Sequence, residues 1–257
     1  MHPLADVLSG AIERNEVEIQ FQPQFSCADG GIIGAEALAR WAPDEAAEVS
    51  GDELFTIAGQ TALSHSLSQY VFDAALKEAH DWPGEMRLSL NITAGDLADP
   101  EFADRMADSL ARSAFLPGRL TLEITEQALV DELDRSAERL QKLVELGVKV
   151  ALDDFGAGFC NFRYLKALPL HYLKLDRSMV EGIGTDMRDL EVLRGIVAMA
   201  CALDLDVVAE GIETQVQREA VTREGCMAWQ GFLGAKPMAA AEFRSLVKSR
   251  PLFFPPS

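Results

Sequence analysis

The chain has 257 residues, 48% of them hydrophobic and 25% charged, which is enough apolar material for one large core and excludes global disorder. Its 23 lysines and arginines stand against 41 aspartates and glutamates, and the resulting charge of −18 argues against duplex nucleic acid or an anionic membrane surface as a partner. No apolar run approaches the ~20 residues of a membrane span, the start lacks the pattern of a secretory signal, and Cys27, Cys160, Cys201 and Cys226 have no zinc or disulfide-framework spacing, so a reducing cytoplasm is the expected setting.

Eight strand segments are legible in chain order, at about 17–26, 31–40, 86–92, 119–125, 148–153, 171–176, 205–210 and 226–231. Ala28-Asp29-Gly30 separates the first two as a hairpin signal, so they are expected to be antiparallel neighbours. Glu45, Glu48 and the alanines near them read as a loop before a helix. A helical stretch precedes every later strand; the clearest are 134–146, closed by Gly147, and 187–203, closed by Asp204. This alternation predicts an α/β fold, a TIM-like (β/α)8 barrel with one antiparallel strand near the N-terminus. The barrel is expected to occupy residues 1–250, with 251–257 as a Pro-rich tail.

The strands depart from the continuous apolar runs expected of a buried parallel sheet. Leu88 and Leu90 oppose Ser89 and Asn91; Leu120, Leu122 and Ile124 oppose Thr121 and Glu123. Val148, Val150 and Leu152 oppose Ala151 and Asp153, and Leu173 and Leu175 oppose Lys174 and Asp176. Glu210 ends the seventh segment, Gln230 nearly ends the eighth, and Glu36, Leu38 and Arg40 share one face of the second. Nearly every strand thus carries a polar residue near its C-terminal end, on the face that would meet inside the barrel mouth, where barrel enzymes keep their active sites. Buried unpaired carboxylates are costly, and several together repel unless cations sit among them. The four histidines form no cluster, so the ligands would be oxygens and the ions Mg2+ or Mn2+. From the residues alone, the expectation is a metal-dependent hydrolase of an anionic ester.

Glu36-Ala37-Leu38-Ala39-Arg40 resembles the signature of the EAL family of cyclic di-GMP phosphodiesterases. In order along nearly the whole chain, Gln22-Pro23, Leu90-Asn91-Ile92-Thr93, Leu122-Glu123-Ile124-Thr125-Glu126, Asp153-Asp154-Phe155-Gly156, Lys174-Leu175-Asp176, Ala209-Glu210-Gly211-Ile212-Glu213 and Gln230-Gly231-Phe232 continue the likeness. The resemblance implies Mg2+- or Mn2+-dependent hydrolysis of cyclic di-GMP to linear pGpG in signal transduction. It also implies homodimers and fusion to sensory or cyclase domains. Carried over by residue, Glu36, Asn91, Glu123 and Asp153 would hold one of two ions; Asp153 would bridge to the other, completed by Asp154 and Glu210. Lys174 would orient the attacking hydroxide, with Asp176 as its partner. Glu126 would tie down the loop after Asp154, and Glu213 would orient groups near Glu210. Gln22, Arg40 and Gln230 would contact substrate, Arg40 by pairing with phosphate.

Two departures stand out: Cys160-Asn161-Phe162 replaces the usual Ser-Ser-Leu stretch, and Gly59 stands where the family commonly has Glu. The altered loop keeps a second reading open, a cyclic di-GMP receptor with little hydrolysis. Asp154-Phe155-Gly156 spells the kinase metal-binding tripeptide, but no glycine-rich loop or His-Arg-Asp accompanies it, so a kinase is excluded.

Overall fold

The computed structural model describes residues 3–43, 49–61, 63–129, 133–158 and 162–249. The Glu45 and Glu48 segment, Cys160, Asn161 and the tail at 251–257 lie outside these residues.

Helix α1 (Pro3–Glu13) precedes the hairpin of β1 (Glu18–Ser26) and β2 (Ile32–Arg40), followed by α2 (Gly51–Gly59) and α3 (Ser64–Ala79). Then come β3 (Arg87–Asn91), α4 (Ala94–Ala98), α5 (Phe102–Ser113), β4 (Leu120–Thr125), α6 (Leu133–Glu145) and β5 (Lys149–Phe155). The remainder is α7 (Phe162–Ala167), β6 (Tyr172–Leu175), α8 (Met187–Ala202), β7 (Asp206–Ala209), α9 (Gln215–Glu224), β8 (Ala228–Gln230), β9 (Met238–Ala239) and α10 (Ala240–Ser249).

Strands β2 to β8 pair in parallel and in chain order. β1 runs antiparallel to both β2 and β8 and closes the barrel between them. This is the α/β barrel with one reversed strand. The hairpin turns where expected: Gly30, at φ 74, lets its N–H reach Ser26 O at 2.9 Å. One element is added to the expected set. The two-residue β9 pairs antiparallel with Gln20 and Phe21 of β1 before α10 begins.

Alternation decides which side chains meet helices. Leu88, Leu90, Leu120, Leu122, Ile124, Val150, Leu152, Leu173 and Leu175 are fully buried in the layer that packs on the helices. A second cluster, with Leu8, Trp41, Leu54 and Leu67, seats α1, α2 and α3 on the rim of β2. The opposite strand faces fill the barrel. Ser89, Thr121, Ala151 and Val208 are small side chains that, with Lys174 and Glu123, line a residual space of about 20 Å³. Helix starts are capped locally: Thr93 and Asp96 form a reciprocal box on α4, as do Thr214 and Gln217 on α9. These caps fix the loops that leave the C-terminal ends of β3 and β7. No helix among the described residues is long and apolar enough to cross a membrane.

Candidate metal centre

Register sets the heights of the polar side chains. Gln22 of β1 lies opposite Glu36 of β2, and Asn91 of β3 lies level with Glu123 of β4. Glu123 pairs with Ala151, so Asp153 stands one pleat higher; Lys174 pairs with Val208, so Glu210 stands one pleat above that. The result is a polar floor that rises around a cavity of about 350 Å³ at the C-terminal mouth. Gln22, Glu36, Asn91, Asp153, Asp154, Lys174, Asp176, Glu210, Glu213 and Gln230 line it, and Glu123 lies beneath, 1% exposed.

Asp154 reaches the mouth by a different route. Simple alternation would turn it toward the helices with Leu152. Instead the pairing of β5 with β6 shifts between Leu152 and Phe155, and Asp154 adopts φ 55. A bulge of this kind re-aims one side chain, and Asp is among the few residues that tolerate the left-handed region.

Lys174 is the electrostatic hub. Its Nζ lies 2.8 Å from Glu210, 3.1 Å from Asp153 and 3.6 Å from Glu36, and it donates a short hydrogen bond to Glu123. Burial alone would favour the neutral amine, but Asp153, Glu123, Glu210 and Glu36 carry its pKa well above the ordinary lysine value. One ammonium does not balance four carboxylates. Burial first, then repulsion from Glu36, Asp153 and Glu210, pushes Glu123 well above the usual carboxylate range. Burial also raises Asp153 and takes Glu210 to about 8. Glu36 goes the other way. Burial opposes its ionisation, but Lys174 and hydrogen bonds from Gln230 (2.7 Å) and Asn91 (2.7 Å) outweigh it and lower its pKa.

Two carboxylate triads can each converge on a cation: Glu36, Glu123 and Asp153, and Asp153, Asp154 and Glu210, with one oxygen per residue inside 4.8 Å of the others. Asp153 belongs to both. Oxygen-only donors suit hard divalent ions. Four carboxylates around one ammonium leave the cluster short of positive charge, which such ions would supply. The residues present therefore fit a carboxylate-held metal centre. Gln230 adds a further donor: its Nε2 is engaged with Gln22 and Glu36, while its buried Oε1 has no partner among the described residues.

Other expected residues sit differently. Arg40 does not line the cavity; it ends β2, two pleats above Glu36, and folds back so that Nη1 donates to Ala39 O at 2.8 Å. Asp176 borders the cavity, but its Oδ1 caps the turn at Arg177–Met179, accepting from Ser178 N (2.9 Å) and Ser178 Oγ (2.5 Å), whereas the groups around Lys174 are the four carboxylates. Glu213 pairs with Arg177 at 3.0 Å. Glu126 opens the 3-10 turn at Glu126–Leu129 after β4. Gly59 ends α2, away from the cavity, and Phe162 begins α7 against Phe155, 6.4 Å between centroids. Thr125 and Phe232, which stand in the quoted motifs without an assigned role, and Arg177, which stands in none, also line the cavity. Alternation with Glu123 would have found Thr125; the other two follow strand ends, where periodicity stops.

A closed β/α barrel with an acidic, cation-ready pocket at its C-terminal mouth defines the general class. The chain belongs to the EAL domain family, whose model matches residues 5–237. It is 33% identical over 244 residues to the bifunctional diguanylate cyclase/cyclic di-GMP phosphodiesterase MucR of Pseudomonas aeruginosa, covering 93% of this chain and 36% of that protein. It is 32% identical over 250 residues to the cyclic di-GMP phosphodiesterase NbdA of the same organism, covering 96% and 32%. The chain thus spans about a third of the length of these relatives. A solved structure of the MucR phosphodiesterase in complex with c-di-GMP superimposes with a TM-score of 0.86 at 33% identity, covering 93% of this chain and all but 1% of that one.

Proposed function

We propose that this chain hydrolyses cyclic di-GMP to linear pGpG with two Mg2+ or Mn2+ ions. The observation that carries this is the pair of carboxylate triads sharing Asp153 beside a buried ammonium. Family membership and the named activities of the relatives support the same substrate.

In the reaction, water attacks one phosphorus and the P–O3′ bond breaks, leaving a 5′-phosphate and a free 3′-hydroxyl. Divalent ions in such a site make water nucleophilic at neutral pH and neutralise phosphoryl oxygens. Glu36, Asn91, Glu123 and Asp153 would hold one ion; Asp153, Asp154 and Glu210 would hold the other. Asn91 donates to Glu36 from Nδ2, which leaves its carbonyl oxygen for a cation. Lys174 stays protonated, stabilises charge that develops at the attacked phosphate and orients the attacking water. Gln230 Nε2 donates to both Glu36 Oε2 and Gln22 Oε1 and extends hydrogen bonding across the floor, where Gln22 and Gln230 would meet substrate. Asp176 and Glu213 shape the loops at the rim. We further propose that the chain works in the cytoplasm as a homodimer, within a larger protein bearing sensory or cyclase domains, as the length of its relatives suggests.

Purified protein with Mn2+ should convert cyclic di-GMP to pGpG, and chelation should stop it. Asp153→Asn should lower kcat by several orders of magnitude. Tight cyclic di-GMP binding with no pGpG formed in Mn2+ would replace the enzyme by a receptor.

A further inference from the structure

Two loops face each other at the cavity rim. One follows β6 and carries Asp176 and Arg177; the other follows β7 and carries Glu210, Gly211 and Glu213. Arg177 Nη1 meets Glu213 Oε1 at 3.0 Å and links the loops whose strands present Lys174 and Glu210. The stem of Arg177 lies on Gly211, which sits at φ 64; a Cβ there would come within 2.5 Å of Arg177 Cγ and 2.6 Å of its Cβ. A glycine beneath and a carboxylate beside therefore place the side chain, yet it remains 55% exposed.

Charge makes that placement consequential. Apart from Arg177, the ionisable groups lining the cavity among the described residues are six carboxylates and Lys174, which is buried under four of its acidic neighbours. A cyclic dinucleotide has two phosphodiesters, and only one can sit at the reacting centre. The other enters an acidic mouth as an anion, and Arg177 brings a guanidinium to that lining.

We propose that Arg177 binds the non-reacting phosphodiester of the substrate, its guanidinium aimed by Glu213 and its stem seated on Gly211. This rests on the phosphodiesterase reading. A guanidinium offers parallel donors that match two phosphate oxygens, which a lysine does not. The exposed pair with Glu213 contributes little to stability, so exchanging one acceptor for a phosphate is not opposed by the fold.

Steady-state kinetics of Arg177→Ala, Arg177→Lys and Gly211→Ala with cyclic di-GMP and Mn2+ test this, with melting temperatures measured alongside. In Arg177→Ala, KM should rise roughly tenfold or more, the loss expected of one charge-assisted bidentate contact, while kcat stays within about threefold. The Mn2+ activation midpoint should not move. Arg177→Lys should recover part of the affinity, Gly211→Ala should raise KM in the same direction, and added salt should raise the wild-type KM more than that of Arg177→Ala. An active wild type with unchanged KM in Arg177→Ala overturns the proposal alone, as does a fall in kcat coupled to a shifted Mn2+ midpoint. A wild type that neither binds nor hydrolyses cyclic di-GMP removes the underlying reading together with it.

Discussion

Glu123 concentrates the conflict in this site. It is 1% exposed, hydrogen-bonded to Lys174 and surrounded by other carboxylates, so its ionisation is strongly opposed. Glu123→Gln keeps an oxygen for Lys174 and turns an anion into a donor that Glu36 or Asp153 can accept. Chelator-treated Glu123→Gln should therefore melt above the wild type at pH 8, by about 2–4 °C for each kcal/mol of repulsion relieved. Its turnover should be lost. Thermal denaturation in a chelator checks this, and a lower melting point would contradict the charge account. The pH dependence has a definite sign. Burial pushes the Glu210 carboxyl up to about 8 from an ordinary 4.5, and burial also raises Glu123 and Asp153. Between these values the folded cation-free protein binds more protons than the unfolded chain, so its stability should fall as pH rises from 4.5 through 8. Glu36, lowered, keeps its contribution throughout that window and loses it only at more acid pH. Melting temperatures in a chelator from pH 5 to 8.5 should decline, and those in saturating Mn2+ should not.

At the scale of the element, β5 is the decisive strand. Its bulge brings Asp154 to the mouth at φ 55. Asparagine tolerates the same backbone, so Asp154→Asn should melt within about 2 °C of wild type, a backbone cost well under 1 kcal/mol. Its turnover should nonetheless fall at least roughly a hundredfold, because an anionic ligand is lost. Full turnover would remove the second triad from the mechanism. The same bulge marks where the sequence stops being readable. Alternation places Asn91, Glu123, Asp153 and Lys174 on the inner face, and the structure puts all four at the mouth. It places Asp154 on the wrong face, since nothing in Leu152-Asp153-Asp154-Phe155 signals an extra residue; only the family resemblance assigned it. Strand limits were legible to within about two residues because each strand is bounded by a glycine, a turn or a helix cap. β9 was not, since two residues have no period. Arg40 shares the face of Glu36, but a face does not tell how far up a strand the rim lies, and its guanidinium ends on Ala39 O.

For the whole molecule, the acidic floor and the net charge of −18 would repel an anionic substrate until cations load. The proposed ligand residues come from β2, β3, β4, β5 and the end of β7, so holding ions there would require the folded barrel. Cations that bind only the folded chain stabilise it by mass action, about 2.7 kcal/mol at a hundred times Kd. The melting temperature should therefore rise with the logarithm of Mg2+ or Mn2+ concentration, and Asp153→Asn should flatten that response. A wild type indifferent to either ion would show that the triads do not bind them. The most direct test is anomalous diffraction from crystals grown with Mn2+. Two peaks should appear at the mouth, one among Glu36, Asn91, Glu123 and Asp153, the other among Asp153, Asp154 and Glu210. Mn2+ found only at surface carboxylates, with Lys174 still buried among unmetallated acids, would contradict it.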